Sequence, residues 1–310
     1  MFKLIQWSDS HLQNDAVSAT QNLISKSPNI DFTVNCGDIT NSYFQQGIGV
    51  YDATKSVCVI GNHDSIDQKG AISSGYQWKV QVEQTTLYTN YLEKSKTAFE
   101  INIDAGKTYW YKIFTDKKVI VIGINDTLIN DAQAEQYTWF TNVIKKAIAQ
   151  NLTVVFVSHA PVKSMNVISS NWNGKLAVTE EFLKNSTGYI SAYGEGYDKP
   201  LNYLLNSNAN VACVLCGHTH FDCFGTITKT DNTKVPFINV GSTLIDSYND
   251  IPRTTDVTKT ASVVANMIEF DNSGLRLFRL GSDGSTTGAA RKMLAWSYVK
   301  QDIVASCSVI

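Results

Sequence analysis

Val57-Cys58-Val59-Ile60-Gly61-Asn62-His63-Asp64 is an apolar run closed by a glycine and followed by three polar residues. A short apolar run bounded this way reads as a buried strand. The tetrad Gly61 to Asp64 then stands at the strand's C-terminal end, where open α/β sheets bind ligands. Upstream, Lys3 to Trp7 runs into Ser8-Asp9-Ser10-His11, and Phe32 to Cys36 runs into Gly37-Asp38. Between them, Ala16, Ala19, Leu23 and Ile24 recur at helical spacing and Pro28 closes the run. Strand, helix, strand, helix, strand predicts a parallel sheet with right-handed crossovers.

Downstream the pattern repeats with variations. Tyr109 to Phe114 and Val119 to Ile124 read as strands joined by a turn, and Asp131 to Ala149 as a helix with Tyr137, Phe140, Ile144, Ala147 and Ile148 on one stripe. Leu152 to Val157 ends in Ser158-His159, and Val211 to Cys216 ends in Gly217-His218-Thr219-His220. Four further runs, from Phe224 to Leu280, have antiparallel character with turns at Asp231-Asn232 and Asn272-Ser273-Gly274. Residues 65–108 and 162–199 break the rhythm and are expected to be cap or loop insertions near the site. Within the first, Trp78 to Tyr91 has partly helical phase. One main domain over residues 1–281 is expected, with residues 282–310 as a tail.

Composition narrows the function classes. The chain has 310 residues, a net charge of -2 and a pI near 6.2, so a polyanion-binding surface is not indicated and nucleic acid is not a favoured partner. No apolar stretch is long enough to span a bilayer, and the N-terminus lacks the features of a signal peptide. The cytoplasm is the expected compartment. An Asn- and Thr-rich composition makes a virion or cell surface the alternative. The six cysteines read as small buried hydrophobes in a reducing compartment. Cys213 and Cys216 are three apart in a strand, so they point to opposite faces and cannot share a metal.

The histidines carry the chemistry. All five (His11, His63, His159, His218 and His220) follow apparent strand ends, and Asp9, Asp38, Asn62 and Asp64 stand at equivalent places. One such histidine is ordinary, but five of five indicate a shared site. Imidazole, carboxylate and carboxamide donors without thiolate suit Mn, Fe or Zn rather than a closed structural zinc site. So many donors exceed what one ion needs and match two ions about 3.5–4 Å apart, the arrangement that clamps a displacement at phosphorus.

In this order, Asp9-x-His11, Gly37-Asp38, Gly61-Asn62-His63-Asp64, His159 and Gly217-His218-x-His220 resemble the calcineurin-like metallophosphoesterase superfamily, over about residues 3–245. The resemblance implies a four-layer α/β/β/α sandwich with mixed sheets and a dinuclear centre at the strand C-terminal ends. It implies Asp9, His11 and His220 as ligands of one metal, Asn62, His159 and His218 as ligands of the other, and Asp38 as the bridge. A hydroxide held between the cations is the expected nucleophile. His63 and Asp64 are the expected catalytic residues, His63 at the leaving oxygen and Asp64 orienting or charge-stabilising it; the alternative for Asp64 is that it caps the loop.

Protein phosphatases of this superfamily show arginines after the Gly-Asp block and beside the Asn-His block. Here those places hold Ile39-Thr40-Asn41-Ser42 and Ser65. The purple acid phosphatase pattern has a tyrosine where Asn41 stands. A dianionic monoester benefits from a guanidinium clamp. Its absence favours a phosphodiester substrate, or a site that uses Lys163 or Asn41 instead. The alternatives are a phosphomonoesterase of small molecules and a catalytically silent interaction module.

Overall fold

A computed structural model describes residues 1–11, 14–40, 49–65, 82–128, 130–161, 165–169, 199–220, 222–243, 263–281 and 291–309. The strands are β1 (Phe2–Trp7), β2 (Phe32–Asn35), β3 (Val57–Cys58), β4 (Trp110–Phe114), β5 (Val119–Gly123), β6 (Thr153–Val157), β7 (Met165–Ser169), β8 (Asn210–Cys216), β9 (Cys223–Thr228), β10 (Lys234–Asn239), β11 (Val264–Phe270), β12 (Gly274–Gly281), β13 (Arg291–Ser297) and β14 (Asp302–Val309). The helices are α1 (Asn14–Lys26), α2 (Gln84–Leu87), α3 (Glu93–Phe99), α4 (Asn130–Ala149) and α5 (Lys199–Leu205), with a π-helical turn, Tyr88–Leu92, joining α2 to α3.

Two seven-stranded sheets face each other. The first runs β14-β13-β12-β11-β1-β2-β3 and the second β4-β5-β6-β8-β10-β9-β7. β1, β2 and β3 are parallel, as are β5, β6, β8 and β10, and the remaining pairings are antiparallel. Phe2, Leu4, Leu275 and Leu277 of the first sheet meet Val121, Val155, Val157 and Leu215 of the second in one core. On the second sheet's other face, Ile122, Val154 and Phe156 pack under Phe140 and Ile144 of α4 and Leu201 and Leu204 of α5. α1 buries Ala16, Val17 and Ile24 in the crossover from β1 to β2. Each fully buried aliphatic side chain contributes about 1.5–3 kcal/mol. The result is the expected four-layer α/β/β/α sandwich with mixed sheets.

Several local expectations change. Residues 291–309, expected as a tail, form a hairpin that continues the first sheet, because Leu294 and Trp296 are buried and Trp296 lies 5.9 Å from Phe224. On α4 the buried residues are Gln136, Phe140, Val143, Ile144 and Ala147, whereas Ile148 is exposed. Gln136 belongs to the buried face because its amide copies a strand partner: Oε1 accepts from Asn125 N (2.8 Å) and Nε2 donates to Asn125 O (2.9 Å). In the expected cap at 65–108, residues 84–99 are helical, and residues 66–81 lie outside the described residues. Of the expected loops at 162–199, β7 is a strand on the edge of the second sheet, and residues 162–164 and 170–198 lie outside the described residues. No helix among the described residues is long and apolar enough to cross a membrane. Cys213 and Cys216 do face opposite ways, Cys213 into the inter-sheet core and Cys216 into the core under α4 and α5.

Candidate metal centre

The sheet order explains how residues far apart in sequence meet. β1, β2 and β3 lie side by side, so the loops that begin at Ser8, Cys36 and Val59 leave one edge together. β6 and β8 are neighbours in the second sheet and deliver His159, His218 and His220 to the same edge. Every expected metal ligand, and His63 with Asp64, arrives there.

They gather in overlapping groups. In Asp9, His11 and His220 the donor atoms all lie within 4.8 Å of one another. His11 Nε2 is 3.0 Å from His220 Nε2, and Asp9 Oδ1 is 3.5 Å from His220 Nε2 and 3.9 Å from His11 Nε2. Asp38, His159 and His218 form a second group, with Asp38 Oδ2 3.2 Å and His218 Nδ1 3.2 Å from His159 Nε2. Asn62 Oδ1 joins it at 2.9 Å from His159 Nε2. A third group, His11, Asp38 and His63, overlaps both, with each imidazole Nε2 4.0 Å from Asp38 Oδ2.

The protonation states show that this arrangement fits cations. Cys36 O can only accept, so His159 Nδ1 carries the proton of their 2.7 Å hydrogen bond. In the neutral ring, His159 Nε2 would then aim a lone pair at the oxygens of Asp38 and Asn62. In the metal-free chain a second proton fills that place: burial opposes it, but the Asp38 carboxylate outweighs burial and pushes His159 up to about 10. Asp38 is correspondingly held well below the usual carboxylate range, burial being overcome by His159 and His63. Burial instead pushes His11 down to about 4, against the pull of Asp38. Asp9 Oδ1 and His11 Nδ1 are buried without a hydrogen-bond partner among the described residues. An unsatisfied buried carboxylate oxygen beside two imidazole nitrogens is what a cation would engage.

The backbone is strained here. Asp9, His11, Asp38, His218 and His220 all have positive φ, between 44° and 68°. Left-handed backbone costs an L-residue about 1–2 kcal/mol. Gly61 answers a different need, close approach: a Cβ there would collide with the Asp38 carboxylate and its backbone nitrogen.

Asp64, expected to act with His63 or to cap the loop, sits among backbone donors. It is fully buried and its two oxygens are engaged by Asp38 N (2.9 Å), Gly61 N (2.9 Å), Thr40 N (2.9 Å), Thr40 Oγ1 (3.1 Å) and Tyr91 OH (3.4 Å). It therefore ties the loop after β2 to the loop after β3. Tyr91 reaches it from the π-helical turn, a local widening that recurs at functional sites.

Sequence reasoning missed Asp126. It stands at the end of β5 next to Asn125, the same strand-end signal that found the other carboxylates. Its Oδ2 accepts from Ala160 N (2.7 Å), fixing the residue after His159. Burial pushes its pKa up to about 6, with the His159 charge opposing. A carboxyl whose folded value lies above its ordinary 3.8 destabilises the fold when it ionises. The penalty is absent below about pH 4, grows as pH rises to about 6, and then stays constant at about 3 kcal/mol. Asp126→Asn keeps an acceptor for Ala160 and removes the charge. In chelated protein its Tm should match wild type at pH 4 and exceed it above pH 6. A Tm difference that does not change with pH would contradict this account.

Ser242 and Thr243 were also missed. Ser242 Oγ donates to Asp9 O (2.6 Å) and Thr243 N to Ser8 O (2.9 Å), so the segment after β10 braces the first strand's loop.

Known structures of the same shape include a dimetal phosphatase from Danio rerio, at 10% identity and a TM-score of 0.55, covering 96% of this chain and 99% of that one. The structure of PhoD matches at 12% identity and a TM-score of 0.57, covering 99% of this chain and 72% of that one. At these identities the likeness concerns the fold alone. No curated protein matches the chain in sequence. The model of the calcineurin-like phosphoesterase family matches residues 2–222, from the first residue of β1 to the loop after His220. With nearly three quarters of its length matched and both sheets and strand-end loops in place, this chain belongs to the calcineurin-like phosphoesterase family.

Proposed function

We propose that the chain is a dinuclear metal-dependent phosphodiesterase. Asp9, His11 and His220 hold one ion, Asn62, His159 and His218 hold the other, and Asp38 is shared. The observation that carries this reading is the position of Asp38 Oδ2, 3.2 Å from His159 Nε2 and 4.0 Å from the Nε2 atoms of His11 and His63. A carboxylate between donor groups from both sheets is suited to joining two ions of the Mn, Fe or Zn type. When bound, such a pair lowers the pKa of water and offsets charge on phosphoryl oxygens.

The remaining work falls to the chain's own residues. His63 N donates to Asp38 Oδ1 (2.8 Å), which sets the residue beside the shared carboxylate. Its side chain is 31% exposed where those of His11, His159 and Asp38 are buried, so it alone of these reaches toward an incoming ester. It delivers a proton to the leaving oxygen. Asp64 is a positioning residue: it holds the Asp38 and Gly61 backbones in place. Next to Ser65 lies a cavity of about 390 Å³ bordered by Gln84, Lys107, Asn125 and Thr127, large enough for a leaving group.

The diester preference rests on the residues that stand at the family's two arginine places, Ile39-Thr40-Asn41-Ser42 and Ser65. Among the described residues, Arg276 engages Glu269 and Arg279 engages Asp222. Lys163 and Asn41, the candidate substitutes, lie outside the described residues. The test is hydrolysis of bis-p-nitrophenyl phosphate and p-nitrophenyl phosphate with added Mn2+ and with chelator. A kcat/KM at least about tenfold higher for the diester, a difference of 1.4 kcal/mol, is expected. Preference for the monoester overturns the diester reading. Turnover of neither substrate with Mn2+ points to an interaction module.

A further inference from the structure

Gln6, Asn266 and Arg279 lie side by side in register across β1, β11 and β12. On the same face, the next row is Leu4, Ile268 and Leu277, and the row beyond is Phe2, Phe270 and Leu275. The period of two that builds the core thus continues into three polar residues at the metal-bearing end. Arg279 is wholly buried there. Its guanidinium pairs with Asp222, a loop residue of the opposite sheet, two positions after His220 and equally buried. A leucine at position 279 would extend the core without the desolvation cost of two ions, so the pair contributes little as a source of stability.

Its connections run toward the site. Asp222 Oδ1 accepts from Gly241 N (2.8 Å). The next residue, Ser242, donates through Oγ to Asp9 O (2.6 Å) and through N to His220 O (3.3 Å). Asn239 Nδ2 holds Thr219 Oγ1 at 2.8 Å from the same strand end. The ion pair is therefore one hydrogen bond and one peptide link from groups that grip both Asp9 and His220. We propose that Arg279 and Asp222 are positioning residues for the half-site formed by Asp9, His11 and His220, acting through Gly241 and Ser242. This inference rests on the metal reading above.

The test is Mn2+ binding to the full chain, followed by calorimetry and by electron paramagnetic resonance, together with Tm. Wild type should bind two ions. The double variant Asp222→Leu/Arg279→Leu replaces the ions with an apolar pair. It should keep its Tm, hold one ion with unchanged affinity and bind the other at least about tenfold more weakly. Arg279→Lys, which retains the charge, should recover most of that loss. If the double variant does not fold, Asp222→Asn decides by the same measure. Wild-type affinity at both sites, or equal weakening of both, overturns the inference and leaves the metal reading standing. A wild-type chain that binds no Mn2+ removes both.

Discussion

His63→Ala should lower kcat by about 10²–10⁴-fold while the protein still carries its full complement of metal. The buried imidazoles are fixed by a neighbour through their rings: His159 on Cys36 O, His11 against His220. His63 is fixed through its backbone, by the 2.8 Å bond to Asp38 Oδ1, and that bond survives truncation of the side chain. Its ring belongs only to the overlapping group with His11 and Asp38, and the two groups assigned to the ions do not need it. Turnover and metal content should therefore separate. The loss should also depend on the leaving group, being smallest for p-nitrophenolate, which departs without a proton, and largest for an alkyl alcohol. Metal analysis and kcat on both ester types check this. Loss of an ion in the variant, or equal losses for both leaving groups, would refute proton delivery by His63.

Asp38→Asn should reduce turnover by roughly 10³-fold or more and weaken binding of both ions, because one carboxylate serves both groups. The asparagine keeps an acceptor for His63 N, so the loop itself should persist. The variant also reports on electrostatics in the chelated protein. Sign matters here. The Asp38 carboxyl, held low, contributes stability above about pH 4 that is lost as pH falls through its folded value. His159, pushed up to about 10, contributes stability below about pH 6.5 that is lost as pH rises through 10. Neutralising Asp38 removes the first contribution and much of the second. Chelated wild type should thus lose Tm between about pH 6.5 and 10, and Asp38→Asn should show a flatter profile starting from a lower Tm. Parallel profiles for the two proteins would remove Asp38 as the cause of the His159 shift.

Much of this architecture is legible in the chain because two signals coincide at each strand end. The apolar runs at Leu4, Val34, Val59, Val155 and Val214 announce buried strands, and the residue types that follow each run announce chemistry. Periodicity could not say which of those groups would meet, since that depends on strand order. Nor could it distinguish Asp64, which holds backbone, from Asp38, which lies among imidazoles: both are carboxylates beside a strand end, and only their donors tell them apart. Asp126 was overlooked because no glycine or histidine stands within two positions of it, unlike the other strand-end carboxylates. The hairpin at 291–309 was mistaken for a tail because a glycine-bearing segment precedes it and its partner, β12, was read as the last strand. Arg279 was invisible for another reason. In Leu275-Arg276-Leu277-Phe278-Arg279 the period of two puts the second arginine on the face of Leu275 and Leu277, but a charged residue near a strand end does not read as core until its buried partner, Asp222, is in view.

The left-handed backbone at Asp9, His11, Asp38, His218 and His220 has a consequence for how such a chain can change over generations. These positions are held in a costly conformation for their side chains' sake, and glycine would occupy each of them without the cost. A lineage released from selection for turnover gains fold stability by exchanging the left-handed histidines His11, His218 and His220 for glycine or asparagine, while Asp38, whose carboxylate holds His63 N and faces His159, is worth keeping. A relative that keeps the sandwich and loses the chemistry should then be harder to melt than the enzyme it came from.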